Sequence, residues 1–213
     1  MLNVTEATNR LERRKQRTRS ALIKAAQELI AEGRVNVPVL EITQRADVGM
    51  GSFYNHFDTK EQLFEAAVSE VLDAYGALLD ALTADMADPA EIFAASFRLT
   101  GRFFRLHPAE SRILLANWSA LVGSDHGLAP RALRDIKAAT AAGRFDVQDP
   151  ELAVAVTAGV LLGMGTLLQR NPERDSGATA DAVTEDLLRM FGMTPKGARA
   201  VCSRQLPEVD FHE

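Results

Sequence analysis

The sequence predicts an all-α protein, and three observations lead to that prediction. Apolar residues recur at the three- and four-residue spacing of amphipathic helices along most of the 213 residues. Residues that begin helices, such as Pro, Asp and Thr, and glycines that end them separate these segments. No segment alternates apolar and polar residues over a useful strand length. We therefore expect helices joined by short loops, without a sheet.

The first sixty residues contain three predicted helices. Residues 12–32 form the first, and its apolar stripe consists of Leu22, Ile23, Ala26, Leu29 and Ile30. Pro38 opens a short second helix over 39–46, at the first-turn position where its missing N–H costs nothing. A turn at 47–49, with Val48 as its apolar residue, leads to a third short helix. This order is the pattern of a helix-turn-helix.

A larger helical body is predicted to follow. Thr59 and Gln62 have the spacing of a capping box, which begins a long helix. The body helices are predicted at 59–82, 90–106, 109–122, 130–142, 150–170, 178–191 and 195–206. The sequence thus predicts a helix-turn-helix domain over 1–58 and a helical domain over 59–213.

Charge is distributed unevenly along the chain, although the net charge of the whole is −5. Residues 1–60 carry ten Lys and Arg against seven Asp and Glu, and the remainder carries fourteen against twenty-two. Seven of the basic residues lie within 10–24, together with a single Glu. This asymmetry indicates a basic surface that meets a polyanion, attached to an acidic body. A solvated basic helix end is the alternative.

The sequence also lacks the features of several protein classes. Cys202 is the only cysteine, which excludes an intramolecular disulfide and a cysteine-based zinc site, and the histidines have no metal-ligand spacing. We find no Gly-rich phosphate loop, nucleophile elbow or HExxH motif, so we expect neither an enzyme nor a cofactor. The uncharged run 152–169 is slightly short for a membrane span and predicts a buried helix. Because no signal-peptide core is present, we expect a cytoplasmic protein without a membrane partner.

Residues 46–63 are the most informative segment. Phe53 and Phe57, four residues apart, are expected to anchor a short helix inward while polar side chains face outward. The order Phe-Tyr-x-His-Phe-x-x-Lys-Glu-x-Leu, preceded by an Ala-x-Val turn, closely resembles the recognition helix of TetR-type transcriptional regulators. The resemblance rests on residues 12–64, and the body is similar in helix number and layout only. It implies an N-terminal three-helix DNA-binding domain and a C-terminal helical domain for ligand binding and dimerisation.

The resemblance assigns DNA contacts to individual residues. Contacts to bases or phosphates are implied for Thr18, Met50, Gly51, Ser52, Tyr54, Asn55, His56 and Lys60. Asn55 either makes a bidentate contact with adenine or is merely solvated. His56 either contacts a phosphate or forms a structural hydrogen bond between helices. Lys60 belongs to the first turn of the next helix, where N–H groups and the helix dipole favour an anion.

The segment departs from the family pattern at three positions. Asp47 stands where Gly is usual, Gly49 where Ser or another cap is usual, and Met50 where a polar residue is frequent. Aspartate tolerates a left-handed turn conformation, and glycine acts as an N-cap without a side-chain hydrogen bond. Met50 is suited to packing on a thymine methyl group, which would favour A·T at that step.

A homodimer on a palindromic operator is expected, because one short recognition helix reads too few base pairs. In the family the last two long helices form the interface between subunits. Candidate interface residues are Ala155, Gly159, Gly163, Leu187 and Phe191. The first three are spaced by four and would let a partner helix approach closely. A helix fully buried within the chain is the alternative.

The middle helices are rich in aromatic residues, and in the family this region binds an effector. Candidate ligand contacts are Phe97, Phe104, Trp118, Leu121 and Met164, which would suit a small, largely apolar molecule. Aromatic residues at helical spacing also serve as ordinary core. Arg98, Arg102 and Arg105 either meet an anionic group or form a solvated face.

The function implied is that of a ligand-responsive transcriptional regulator. Repression is expected, with release from a double-stranded DNA operator when the effector binds. The alternative is an all-helical protein–protein interaction module without sequence-specific DNA binding. Such a module would not need the basic N-terminal helix or the polar side chains of residues 50–56.

Overall fold

The computed structural model describes residues 2–116 and 127–208, and within these ranges it contains helices, turns and loops but no strand. The all-α prediction is confirmed. The helices are α1 (Leu2–Ala31), α2 (Val39–Arg45), α3 (Met50–Tyr54), α4 (Lys60–Leu82), α5 (Pro89–Leu106), α6 (Pro108–Ala116), α7 (Leu128–Ala141), α8 (Pro150–Arg170), α9 (Ser176–Met190) and α10 (Pro195–Cys202).

Most predicted helix ends agree with the structure within two residues, and two differ. Helix α1 begins ten residues before position 12, because no Gly or Pro interrupts residues 2–11. Helix α10 ends at Cys202 rather than near 206. Helix α6 is described as far as Ala116, and the rest of the predicted 109–122 helix lies outside the described residues.

The chain divides into two compact units, one up to Glu70 and one from Val71 on, so α4 contributes to both. The division falls after the domain boundary predicted at 58/59. The reason is that the first turns of α4 pack on α1: Leu63 and Ala67 are fully buried, and Gln27 Nε2 donates to the Ala67 carbonyl at 3.2 Å.

In the first unit, a small apolar core holds α1, α2 and α3 together. Leu22, Leu29, Ile42 and Phe53 are all 0% exposed. The turn between α2 and α3 contains Asp47 at φ 52, the one positive-φ residue other than glycine in the described part of the chain. The left-handed turn expected at this position is therefore present.

In the second unit, α5 lies against α7, α8, α9 and α10. An aromatic cluster joins Phe93 to Phe97, Phe145 and Phe191, with ring centroids 5.5–6.4 Å from Phe93. Helices α5 and α9 approach closely at Gly101, where an added Cβ would lie 2.4 Å from the Cβ of Ala180. A larger residue at position 101 would push the two helices apart.

The arginines of α5 hold neighbouring elements instead of forming a solvated face or an open anion site. Arg98 is 6% exposed and donates from Nε to Asp181 Oδ1 at 2.7 Å, and Arg102 donates to both oxygens of the same carboxylate. These hydrogen bonds outweigh the effect of burial and lower the pKa of Asp181. Arg105 Nη2 donates to the carbonyls of Leu168 and Asn171.

We predict that Gly101→Ala destabilises the protein by about 1–3 kcal/mol, because the new methyl group overpacks the crossing of α5 and α9. Urea denaturation followed by circular dichroism measures the change. Gly51→Ala is the matched control, since a Cβ at Gly51 meets no atom within 4 Å. Equal stability of the two variants would contradict the prediction.

Candidate nucleic-acid interface and cavity

Helix α3 and the residues just after it bury two aromatic side chains and expose others to solvent. Phe53 and Phe57 are 0% and 6% exposed, whereas Met50 and Tyr54 are 46% and 58% exposed. The two phenylalanine rings lie 6.1 Å apart, and Tyr54 packs edge-on against Phe53 at 5.2 Å. The predicted arrangement of buried anchors behind an exposed face is therefore present.

The other candidate DNA contacts surround α3. Gly51 and Asn55 are exposed, and Ser52, His56, Thr18 and Lys60 are half-buried. Asn55 directly follows the last helical residue, Tyr54, so the helical part of the segment is shorter than the polar stretch. A Cβ at Gly51 would meet open space, which leaves room for another molecule to approach the backbone.

The start of α4 is defined by side-chain caps. Thr59 Oγ1 accepts from the Gln62 N–H at 3.2 Å, and Gln62 Oε1 accepts from the Asp58 N–H at 2.9 Å. These are the two reciprocal bonds of a capping box, except that Gln62 accepts from the N–H of Asp58 instead of that of Thr59. Lys60 Nζ donates to Asn36 Oδ1 at 2.9 Å, which positions the ammonium group at this helix end.

The five arginines of α1 fall into two groups. Arg10, Arg13, Arg14 and Arg17 are exposed and follow the i, i+3, i+4, i+7 spacing of a single helix face. Arg19, by contrast, pairs with Glu70 at 3.1 Å, and its guanidinium carbon lies 5.3 Å from the centre of the Phe57 ring. Arg19 thus packs against the helix-turn-helix, while the other four face solvent.

His56 lies in a cationic environment. Its burial, followed by the charges of Lys15 and Arg19, lowers its pKa below the ordinary 6.5. The imidazole is therefore neutral at pH 7. A neutral imidazole contributes an N–H donor to a phosphate contact but no positive charge.

The second unit contains a cavity between α4, α5, α7 and α8. Its volume is ≈ 70 Å³. Phe93 and Phe97 of α5, with Val154 and Leu161 of α8, form an apolar wall. Four charged residues contributed by α4 and α7, Asp80, Arg131, Arg134 and Asp135, are also part of the lining, and we call them the charge cluster.

Each member of the charge cluster is hydrogen-bonded to another. Arg131 Nε and Arg134 Nη2 donate to the two oxygens of Asp80 at 2.7 and 2.8 Å. Arg134 Nε also donates to Asp135 Oδ1 at 2.8 Å. These bonds outweigh burial and lower the pKa of Asp80, whereas burial is dominant at Asp135, 7% exposed, and raises its pKa.

The cavity only partly coincides with the predicted ligand contacts. Phe97 lines it. Phe104 and Met164 belong to the core and pack beside Gly165 and Gly101, outside the cavity lining. Trp118 and Leu121 lie outside the described residues. The prediction missed the charge cluster, because Asp80 is some fifty positions from its partners and only the tertiary structure brings them together.

The candidate interface residues fall into an accessible group on α8 and a buried group. Ala155 is half-buried, and Gly159 and Gly163 are exposed, with no atom within 4 Å of an added Cβ. Leu187 and Phe191 are 3% and 2% exposed and belong to the hydrophobic core of the second unit. Their assignment to the interface is therefore corrected, because these two side chains pack inward among the body's own helices.

Helix α8 is the one helix in the described ranges with the length and apolar composition to cross a membrane. Of its most apolar 18-residue stretch, 44% is buried within the chain. The unburied residues form one face that includes Leu152 and Leu167, 60% and 39% exposed, on either side of the two glycines. An apolar helix face of this kind is suited to a packed partner.

Comparison with known proteins is consistent with these features. Residues 22–67 match the family model described as bacterial regulatory proteins, tetR family, and residues 88–204 match the tetracyclin repressor-like C-terminal domain. The structure of RolR in complex with resorcinol is 33% identical, covering 93% of this chain and 100% of that chain with a TM-score of 0.67.

Two more distant structures share the fold. A putative tetR family transcription regulator from Shewanella sp. PV-4 is 17% identical over 83% of this chain and 99% of its own, with a TM-score of 0.71. NalD of Pseudomonas aeruginosa, the secondary repressor of a multidrug efflux pump, is 19% identical over 82% and 96%, with a TM-score of 0.60. No curated protein matches the chain.

We predict that His56 titrates below pH 6.5 and that Lys15→Gln raises its midpoint by removing a like charge. An NMR pH titration of the full-length protein measures both values. Lys24→Gln on the same helix is the control and should leave the midpoint unchanged. Since the unfolded imidazole takes up its proton at higher pH, His56 also makes the folded state less stable as pH falls through 6.5. A midpoint insensitive to Lys15→Gln would contradict the prediction.

Proposed function

The chain belongs to the TetR family of transcriptional regulators, and from this we propose that it is a repressor that binds a palindromic operator as a homodimer and leaves it when a small effector binds. Regulators of this family are DNA-binding proteins, not enzymes. The observation that carries the proposal is α3, which exposes Met50 and Tyr54 while Phe53 is fully buried behind them. We place the protein in the cytoplasm, where its operator lies.

In the proposed complex, α3 lies in the major groove and neighbouring groups contact the backbone. Met50, Ser52, Tyr54 and Asn55 face the bases, with Asn55 available for a bidentate contact to adenine. Gly51 lets the DNA approach the helix closely. Thr18, His56 and Lys60 contact phosphates, His56 as a neutral donor and Lys60 as a cation. The exposed arginines of α1 add a sequence-independent attraction that weakens with salt.

The proposed dimer uses the exposed face of α8. Gly159 and Gly163 let the partner helix approach to backbone distance, and Leu152 and Leu167 become buried at the two ends of the contact. Ala155 continues the same face. A dimer places two copies of α3 on two half-sites, which supplies the affinity and specificity that a single helix lacks.

The cavity is the proposed effector site. A ligand there releases the operator only if it binds the released conformation more tightly than the DNA-bound one. The 33% identical relative RolR is described in complex with resorcinol, which supports a small aromatic molecule as the effector class. Among the predicted ligand contacts that the structure describes, Phe97 lines this cavity.

Selection of bound sequences from random duplex DNA, followed by footprinting, tests the proposal. A palindromic motif with two half-sites about one helical turn apart is expected. Binding should weaken steeply with rising salt. Binding that shows no sequence preference at any salt concentration would overturn the assignment as a specific repressor.

We predict that Met50→Ala relaxes the base preference at one position of each half-site, because it removes an apolar contact with a thymine methyl group. The measurement repeats the sequence selection with the variant. Leu106→Ala is the control, since Leu106 is 56% exposed and belongs to the second unit. An unchanged binding-site profile for Met50→Ala would show that Met50 does not read the DNA.

We predict that Gly163→Leu yields a folded monomer, because the new side chain enters open space in the subunit but blocks the approach of a partner helix. Analytical ultracentrifugation gives the oligomeric state, and operator affinity should fall with dimerisation. Ala138→Leu, at an exposed position of α7, should stay dimeric. A wild-type monomer, or a dimer of Gly163→Leu, would contradict the proposed interface.

A further inference from the structure

We propose that the cavity selects an uncharged single aromatic ring with two hydroxyl groups, bound between the apolar wall and the charge cluster, and excludes the corresponding carboxylate. This inference deepens the proposed function, because it names the chemical class of the effector. It rests on the cavity being the effector site. It does not depend on which DNA sequence the protein binds.

The two walls of the cavity require a ligand with two kinds of surface. Phe93 and Phe97 contribute aromatic rings to the apolar wall, and Val154 and Leu161 contribute aliphatic side chains. These residues gain from the burial of a flat apolar ring. The charge cluster offers carboxylate oxygens and guanidinium N–H groups, which can form hydrogen bonds with polar substituents on such a ring.

The charge balance of the cluster favours hydroxyl groups over a carboxylate. Two carboxylates face two guanidinium groups, and every member already has an ionic hydrogen-bond partner within 2.7–2.8 Å. A hydroxyl group both donates and accepts, so it can bond to a carboxylate oxygen and a guanidinium N–H without changing the net charge. An added carboxylate would bring an uncompensated negative charge beside Asp80 and Asp135.

The environment of Asp135 makes a second anion especially costly. Asp135 is 7% exposed, and burial raises the pKa of its carboxyl group, so burial disfavours negative charge at this position. A neutral hydroxyl group on the ligand can donate a hydrogen bond to Asp135, and this bond stabilises the charged form of its carboxyl group. A carboxylate on the ligand would oppose it by repulsion at short range.

The small size of the cavity favours a small ligand. Its volume is ≈ 70 Å³. An engineered protein cavity that binds benzene measures about 150 Å³. Even one ring therefore requires the walls to move apart, and a fused or extended ring system would require a much larger displacement. A ligand that fits only after such movement favours the moved conformation, as a releasing effector must.

The position of Arg131 indicates that a bound ligand would affect the contact between α4 and α7. Its guanidinium group lies directly over the backbone of α4, where an added Cβ at Gly76 would be 2.6 Å from Nη1. It donates to Asp80 of α4 and to the carbonyl of Gly127 just before α7. Hydroxyl groups that compete for these donors would change how α4 is attached to α7, and α4 also forms part of the first unit.

Titration calorimetry of the full-length protein with resorcinol, phenol and 3-hydroxybenzoate tests the selectivity. Resorcinol should bind most tightly, phenol about tenfold more weakly for the loss of one hydrogen bond to a charged group, and 3-hydroxybenzoate more weakly still. Equal or tighter binding of 3-hydroxybenzoate, or no binding of resorcinol, would overturn the inference. These measurements on the wild-type protein do not require any variant to fold.

An Asp135→Asn variant tests the role of charge directly, because it keeps the shape and leaves the cluster with a net positive charge. The affinity of the variant for resorcinol should fall about tenfold or more. Its affinity for 3-hydroxybenzoate should fall less or rise, so that the ratio of the two affinities shifts toward 3-hydroxybenzoate. Asp85→Asn, at an exposed loop position, is the matched control and should bind like the wild type. If a folded Asp135→Asn variant kept the ligand preference of the wild type, the charge cluster would not be what selects the ligand, and the inference would be overturned.

Operator release separates this inference from the proposed function. A fluorescence assay of the operator complex with added resorcinol supplies the second readout. Binding of resorcinol without release would support the cavity chemistry and contradict the proposed release mechanism. Release by a different compound, with no resorcinol binding to the free protein, would support the regulator and overturn the inference.

Discussion

The attachment of α5 to α9 is central to the body, because α5 also contacts α7, α8 and α10, and the buried guanidinium of Arg98 and the carboxylate of Asp181 hold the two helices together. Arg98 is 6% exposed, so loss of Asp181 would leave a buried charge uncompensated. The two helices also approach closely at Gly101, where an added Cβ would lie 2.4 Å from the Cβ of Ala180. Helix α5 therefore makes this ion pair and also contributes Phe93 and Phe97 to the apolar wall of the cavity.

The charge cluster has a different role from this structural pair, although both consist of Arg and Asp. Asp181 joins two helices inside one unit, whereas Asp80 belongs to α4, which is shared by both units. Because the charge cluster also lines a cavity, a ligand can exchange its hydrogen bonds, while no ligand is needed at Asp181. The structural pair and the proposed regulatory site therefore use separate ion-pair networks in the same body.

Much of the helix-turn-helix was predictable because its signals are local. Phe53 and Phe57, four residues apart, predicted a helix with a buried side, and Thr59 with Gln62 predicted the start of α4. Even the unusual Asp47 was interpretable, since few residues other than Gly and Asn accept its left-handed conformation. Leu187 and Phe191 were misassigned because helical periodicity identifies an apolar face but not the molecule that covers it.

By itself, the sequence determined the all-α class, the family and the side of α3 that faces outward, because each depends on residues close together in the chain. Only the tertiary structure decided which apolar face of α8 remains uncovered and which charged residues meet in the cavity. Both depend on contacts between helices that are distant in sequence. Asp80 and Arg131 illustrate the reason: neither shows an unusual pattern locally, yet their 2.7 Å hydrogen bond joins two helices beside the apolar wall.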